Sequence, residues 1–444
     1  VLKTFPVGGI HPPENKLTVR KAIIKLPVPQ AVVIPVSQHI GAPSVIVVNK
    51  GDTVKAGQVI ATSKGFVSSN IHSSVSGKVN KIDTVIDTTG YKQTAVFIDV
   101  EGDEWAETID RTDDVIREIK LSPEEIIKKS LESGIVGLGG ATFPSHVKLS
   151  VPEGKKCEVL IINGVECEPY LTSDHRLMLE KGEQVMIGIS ILMKALKVTR
   201  AMIGIENNKP DAINHLAGIA QAFQGITVHA LKVKYPQGAE KQLIKALINK
   251  EVPSGRLPID VGAVVHNVGT AFAMYEAVQK NKPLFERVVT ITGKSLTNPG
   301  NFLVRIGTPV SRLIEAAGGM PDDTGKILSG GPMMGKALNN IDVPVVKGTS
   351  GIILFPSAES LRVKVNPCIR CAKCISACAM NLEPYLIAVA SEKGMFDRAE
   401  KEHITDCMEC GSCSYVCPAG RPLLDYIRLG KSNVLKSIRE RSVK

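Results

Sequence analysis

CIRCAKCISAC (368–378) and CMECGSCSYVCP (407–418) hold eight of the chain's ten cysteines. Each run reads C-x₂-C-x₂-C-x₃-C, and the second has a proline after its last cysteine. A cubane iron–sulfur cluster needs four thiolates converging on its irons, and a tight run of three supplies three corners. Zinc sites close with four ligands, usually in well-separated C-x₂-C pairs, and have no use for a third cysteine two residues on. Disulfides imply an oxidising compartment, yet the rest of the chain adds only Cys157 and Cys167. The spacing therefore predicts two cubane clusters.

This spacing resembles that of two-cluster bacterial ferredoxins. The resemblance implies that the fourth cysteine of each run ligates the other cluster. Cys368, Cys371, Cys374 and Cys417 would then hold the first, and Cys407, Cys410, Cys413 and Cys378 the second.

With 444 residues, 43% hydrophobic and 22% charged, the chain has room for three or four globular domains. No apolar run approaches a membrane span, and VLKTFPVGGIHPP at the start lacks the apolar core of a signal peptide, so a cytoplasmic location is expected. The formal charge of +10 falls once anionic clusters and a phosphate cofactor are bound. Arg421, Arg428, Lys431, Lys436, Arg439, Arg441 and Lys444 face only Asp425 and Glu440 in sequence. Residues 431–444 thus read as a basic tail, either a dock for an acidic partner or anionic membrane surface, or a solvated end. Nucleic acid is not expected, because aromatics make up only 4% and none interleave with these charges.

Upstream, the pattern predicts a multidomain α/β protein with small β modules. Residues 1–28, rich in proline, read as an arm. Residues 29–102 are short strands between turns, and KGDTVKAGQVI (50–60) with SSVSGKV (73–79) resembles the barrel-sandwich hybrid of biotinyl and lipoyl domains. Lys64 falls where a lipoyl lysine would sit, but its flanks differ, so the module reads as an unmodified scaffold. From 103 to 285 a polar linker leads into alternating helix and strand patterns, predicting a Rossmann-like sheet. Ser122-Pro-Glu-Glu is an N-cap, a proline at N1 and an acidic first turn. Residues 286–357, with a turn at Asn298-Pro-Gly, resemble the SLBB β-grasp module. Residues 358–430 form the helical cluster domain.

Two loops carry the chemistry. GIVGLGGATFPSHVK (134–148) is the densest glycine run, able to bring backbone N–H groups to a phosphate, though a ligand-free turn has the same composition. IINGVECEPY (161–170) places an amide and two carboxylates after a buried strand, where such sheets bind ligands. Together they resemble the flavin loops of the complex I flavoprotein, which transfers hydride from NADH to FMN. By position, the resemblance implies phosphate and flavin contacts at Gly137, Gly139, Gly140 and Lys148, and flavin-site roles for Asn163 and Glu166. It implies nicotinamide stacking at Phe143 and NADH contacts at Glu168 and, through YPQGAE (235–240), Glu240. HNVGT (266–270) would set Asn267 and Thr270 against the flavin. The pattern departs at Val165, Thr142, Ala239 and Gly269. Taken singly, Asn163 also reads as a turn cap, Phe143 as core, and Glu166 or Glu168 as a solvated charge. Cys157 and Cys167 read as incidental.

The order of modules, from GGIHPP to the cysteine runs, resembles the RnfC family, the C component of Rnf electron-transport complexes. That implies FMN, NAD(H) and two [4Fe-4S] clusters as cofactors. The implied partners are the other parts of an Rnf complex, its iron–sulfur component B and its membrane components D, G, A and E, with ferredoxin reached indirectly. The implied place is the cytoplasmic face of the membrane. Two other readings remain at this point: a flavin and iron–sulfur corrin reductase, and an electron-transfer adaptor that has lost its flavin.

Overall fold

Ser122 does cap a helix: its hydroxyl accepts from the Glu125 N–H while the Glu125 carboxylate accepts from the Ser122 N–H, opening Pro123–Glu132. This helix begins the central α/β module of a computed structural model that describes residues 2–443. Lys444, counted above with the basic tail, and Val1 lie outside the described residues.

The central module is a four-stranded parallel sheet in the order Ile226–Leu231, Ala201–Glu206, Val159–Asn163, Ala263–Asn267. Its strands are near-continuous apolar runs because helices cover both faces. Gly182–Leu196 and Val268–Gln279 pack on one face with Leu160, Ile162 and Ile203. Glu240–Ile248 covers the other, over Ile161, Met202 and Val265. The chain reverses direction across the sheet between Val159–Asn163 and Ala263–Asn267. Ligand crevices form beyond the carboxyl ends of such a pair.

Before it, two antiparallel sheets close the barrel sandwich, one of four strands (31–35, 92–100, 77–86, 53–54) and one of three (45–46, 59–62, 71–72), around Val32, Ile34, Ile60, Ile71 and Ile98. Lys64 is exposed at the loop between Val59–Thr62 and Ile71–His72. That loop does not hang free: the Phe66 carbonyl meets His146 Nε2 at 2.9 Å and the two rings stack edge to face.

After the central module comes a six-stranded mixed sheet. Its antiparallel pair Glu286–Thr292 and Gly300–Arg305 brackets the turn read at Asn298. Its edge strand is Ile23–Lys25 from the N-terminal arm, paired in parallel with Gly300–Arg305. The arm is therefore a strap: Lys3 bridges to Leu231, Ile10 to Tyr235, and the Gly9 N–H donates to the Ala377 carbonyl of the cysteine module. Phe5, buried, lies beneath the Lys234 ammonium, 4.1 Å from the ring centroid.

Two expectations need correction. The polar linker after residue 101 is pinned: Trp105 packs edge to face on Phe285 at 5.1 Å, and Asp110 pairs with Lys280 at 2.7 Å. The basic tail is the end of one helix, Leu423–Val443, packed along the cysteine module. Acids remote in sequence meet its charges and those just before it: Arg421 pairs with Glu392, Arg428 and Lys431 with Glu409, and Arg441 with Glu400. Sequence neighbours made the tail look unbalanced because those acids lie on the preceding turns of the fold.

Buried lysines seal the joints between modules. Lys347 donates to the Asn70 carbonyl at 2.8 Å and the Gly134 carbonyl at 2.7 Å, joining the barrel sandwich to the central module, and burial lowers its pKa to about 7. Lys282 sits between Glu276 and Glu286, and that pair of carboxylates raises its pKa despite burial.

Candidate functional site

The glycine loop lies at the carboxyl end of Ala263–Asn267, against the start of the helix that follows it. Thr270, in the first turn of Val268–Gln279, anchors it by accepting from the Leu138 N–H at 3.0 Å, and the Gly137 N–H bonds the Phe143 carbonyl at 2.9 Å. No close hydrogen bond among the described residues takes up the N–H groups of Gly139, Gly140 or Ala141, and Gly139 and Gly140 are exposed. Glycine is required at 139 for a steric reason: a Cβ there would lie 2.6 Å from Asn267 Nδ2. At Gly140 a Cβ would meet open space. Free N–H groups on a glycine turn fit a phosphate.

Asn267 is the N-cap of its helix. Its Oδ1 accepts from the Gly269 N–H at 2.7 Å, and its Nδ2 donates to Asp174 Oδ2 at 2.7 Å. Asn163 donates from Nδ2 to the Gly238 carbonyl at 2.7 Å and accepts from the Val165 N–H, so it ties the acidic loop to the YPQGAE loop. Lys148 donates to Glu240 Oε1 at 2.7 Å and to the Val265 carbonyl at 3.1 Å. That ion pair is half-exposed, with both side chains reachable by a ligand. Phe143 is partly exposed beside the same loop.

Two of the expected site residues are placed differently. The Glu166 carboxylate caps the helix Ser173–Glu180, accepting from the N–H groups of Asp174 at 2.8 Å and His175 at 3.2 Å. Glu168 was expected to touch NADH, but both its oxygens are engaged. Oε2 accepts from the Met333 N–H at 3.0 Å and Oε1 from the Met334 N–H at 2.9 Å, both in the glycine-rich turn of the β-grasp module. Burial raises its carboxyl to about 7 against the pull of those donors. Neither acid is a solvated charge.

Three residues were missed in the sequence. Asp174 is half-buried behind Asn267, and desolvation of its carboxyl together with the Glu166 carboxylate holds it above the usual range. Lys16, from the strap, donates to three carbonyls of the acidic loop, Glu166, Glu168 and Leu171, at 2.8, 2.9 and 2.6 Å. Tyr235, quoted only as a motif residue, donates to the Cys410 carbonyl at 2.9 Å. Single acids and lysines outside a motif carry no periodic signal.

The cysteines group in fours. A cavity of about 370 Å³ is lined by Cys368, Cys371, Cys374 and Cys417, and a smaller one by Cys378, Cys407, Cys410 and Cys413. Each group takes three thiols from one run and the fourth from the other. The two runs share a backbone device: Arg370 and Ala372 in one, Glu409 and Gly411 in the other, have positive φ at matching places. Left-handed residues between the cysteines turn successive thiols to one side. Burial pushes Cys407 up to about 11 and Cys413 up to about 12, and an iron cluster is what would hold such thiols as thiolates. N–H groups already point at sulfur, from Glu409 to Cys407 and from Leu382 to Cys378, both at 3.4 Å.

Family models match all four modules. The RnfC barrel sandwich hybrid domain matches residues 3–103, the Nuo51 FMN-binding domain 131–276, the SLBB domain 288–337 and the 4Fe-4S dicluster domain 360–418. The C component of the proton-translocating ferredoxin:NAD(+) oxidoreductase complex of Clostridium ljungdahlii is 49% identical over 97% of this chain and 94% of its own length. The chain belongs to the RnfC family. Other relatives are the C component of the Na(+)-translocating ferredoxin:NAD(+) oxidoreductase complex of Acetobacterium woodii, 43% identical over 98% of both chains, and that of the ion-translocating oxidoreductase complex of Rhodobacter capsulatus, 40% identical over 98% of this chain and 84% of that one.

An RnfC protein carries FMN and two [4Fe-4S] clusters, and the residues here fit both groups: unpaired N–H groups on a glycine turn for the phosphate, and two sets of four cysteines for the clusters. Among the described residues no helix is long and apolar enough to cross a membrane.

Proposed function

We propose that this chain is the NAD(H)-reacting module of an ion-translocating ferredoxin:NAD(+) oxidoreductase complex. The observation that carries the reading is a glycine turn with open N–H groups and a half-exposed Lys148–Glu240 pair, in the same chain as two four-cysteine cavities. When bound, the cofactors supply hydride exchange between NAD(H) and FMN and single-electron relay through two clusters.

The chain's own residues position these groups. Gly139, Gly140 and Ala141 offer N–H donors to the flavin phosphate, with Gly137 shaping the turn and Thr270 holding it. Asn163 and Asn267 fix the floor at the strand ends. Lys148 supplies positive charge, Glu240 orients the nucleotide through hydroxyl or amide hydrogens, and Phe143 offers a ring for stacking. No general base is needed for hydride exchange, so these carboxylates orient and do not move protons.

Packing supports an order for the clusters. Cys378, Cys407, Cys410 and Cys413 lie against the flavin module through the Tyr235–Cys410 bond and a Gln242 Nε2 bond to the Ala379 carbonyl at 2.9 Å. Cys368 and Cys371 are exposed. Electrons would pass between flavin and the inner cluster, then the outer one. Beyond that lie the iron–sulfur component B and the membrane components D, G, A and E at the cytoplasmic face, with ferredoxin past them.

Membership of the RnfC family stands against the corrin reductase, and the FMN-binding match against the flavin-less adaptor. The test is a pair of variants: Glu240→Gln should raise the NADH concentration needed for half-maximal flavin reduction about tenfold with FMN content unchanged, which corresponds to about 1.4 kcal/mol. Lys148→Met should lower FMN content. Full FMN and unchanged NADH response in both would remove the assignment.

A further inference from the structure

Glu168 and Tyr235 belong to motifs that, by resemblance, contact the nicotinamide nucleotide. In this fold they meet at a three-way junction. The Tyr235 ring is buried with Ile10 of the strap and Ala377 of the cysteine module, against Met333 and Cys410. Its hydroxyl lies 2.9 Å from the Cys410 carbonyl and 3.4 Å from Glu168 Oε1. Behind Glu168 the SGGPMMG turn has no slack, since a Cβ at Gly331 would overlap Glu168 Oε2. The same turn closes on the second cysteine run, where a Cβ at Gly411 would lie 2.9 Å from the Met333 carbonyl. Glu168 is thus enclosed by β-grasp N–H groups on one side and by Tyr235 on the other, each of its oxygens already holding a partner from this junction.

We propose that Glu168 and Tyr235 are positioning residues for the inner cluster, Tyr235 through its hydroxyl hydrogen bond to the Cys410 peptide and Glu168 through its carboxylate in contact behind that hydroxyl, that together they set this cluster's potential, and that both lie outside the nucleotide site. Hydrogen bonds and buried charge around the ligands are what tune iron–sulfur potentials. The Tyr235 hydroxyl turns the positive end of its dipole toward the Cys410 carbonyl, which favours the reduced, more anionic cluster. The Glu168 carboxylate behind it, when ionised, acts in the opposite sense. The two side chains therefore have opposed effects, which a loosened interface would not produce.

The inference rests on the two-cluster reading above. The test uses the full chain, reconstituted anaerobically with iron, sulfide and FMN, with the midpoint of each cluster followed by electron paramagnetic resonance during redox titration and NADH affinity measured by flavin bleaching. Tyr235→Phe should shift the inner cluster to lower potential and Glu168→Gln to higher, with the outer cluster unmoved and NADH affinity within about twofold of the parent. Unmoved potentials, shifts of the same sign, or NADH affinity weakened tenfold in either variant would overturn it. If Glu168→Gln fails to hold the inner cluster, Tyr235→Phe decides alone: a retained cluster with a lowered midpoint supports the link, and an unchanged midpoint contradicts it. A parent protein showing fewer than two cluster signals would instead refute the two-cluster reading.

Discussion

Asn163 and Asn267 end neighbouring parallel strands in register, and Asn267 Nδ2 lies 3.4 Å from the Asn163 carbonyl oxygen. This pair stands at the point where the sheet order reverses, so the glycine loop, the acidic loop and the YPQGAE loop converge on it. Each asparagine holds a different loop: Asn163 reaches Gly238, and Asn267 backs Gly139. The floor of the proposed flavin site is thus built from amides whose hydrogen bonds are already assigned.

Asn267→Ala should therefore damage both the site and the fold. It removes an N-cap, at about 1 kcal/mol, and leaves the half-buried Asp174 without its donor, at about 1–3 kcal/mol more. Expected results are a thermal transition lowered by several degrees and a lower FMN content per chain, read by calorimetry and flavin absorbance.

Asp174 gives the stability a pH signature. Its folded pKa is raised above the unfolded value of about 4, so between that pH and the raised value the folded chain binds the extra proton. Stability from this group is present at low pH and lost as pH rises through the window. Asp174→Asn should flatten that part of the profile and make the variant relatively more stable at pH 8 than at pH 5. Denaturant titrations across that range measure it.

Lys16→Met should loosen the acidic loop without touching its sequence. Three carbonyls lose one buried ammonium, at about 2–3 kcal/mol for charge-assisted bonds of this kind. Hydrogen exchange at residues 164–171 should rise, and Lys16→Arg, too wide for the same three acceptors, should rescue only in part.

The two cysteine runs exchange their fourth ligands, so losses should pair across the sequence. Cys417→Ser should abolish the same paramagnetic signal as Cys368→Ser, and Cys378→Ser the same one as Cys407→Ser. Each variant should retain about four of about eight irons. Loss of the local run's signal by Cys417→Ser would show that each run holds its own cluster.

What the sequence made legible was local or periodic. Ser122-Pro-Glu-Glu announced its helix, the alternating helix and strand patterns after residue 103 announced the parallel sheet, and cysteine spacing announced two sets of four. What escaped was long-range. Glu168 reads as one more acid in a flavin motif, and only folding brings the backbone of Met333, 165 residues on, to its carboxylate. Arg428, Lys431 and Arg441 read as excess charge until their helix lies along Glu409 and Glu400. Lys16 carries no pattern, because its partners are carbonyls, which every residue has.

In the proposed function, NADH enters at the flavin loops and its electrons leave through the cysteine module. Anaerobic titration of the reconstituted chain with NADH, followed at once by flavin absorbance and cluster paramagnetic resonance, tests it most directly. The expected result is flavin bleaching and then a reduced-cluster signal, while the Cys378→Ser variant, lacking the inner cluster, bleaches its flavin but leaves the outer cluster oxidised. Cluster reduction without bound FMN, or an outer cluster reduced as fast in that variant as in the parent, would contradict it.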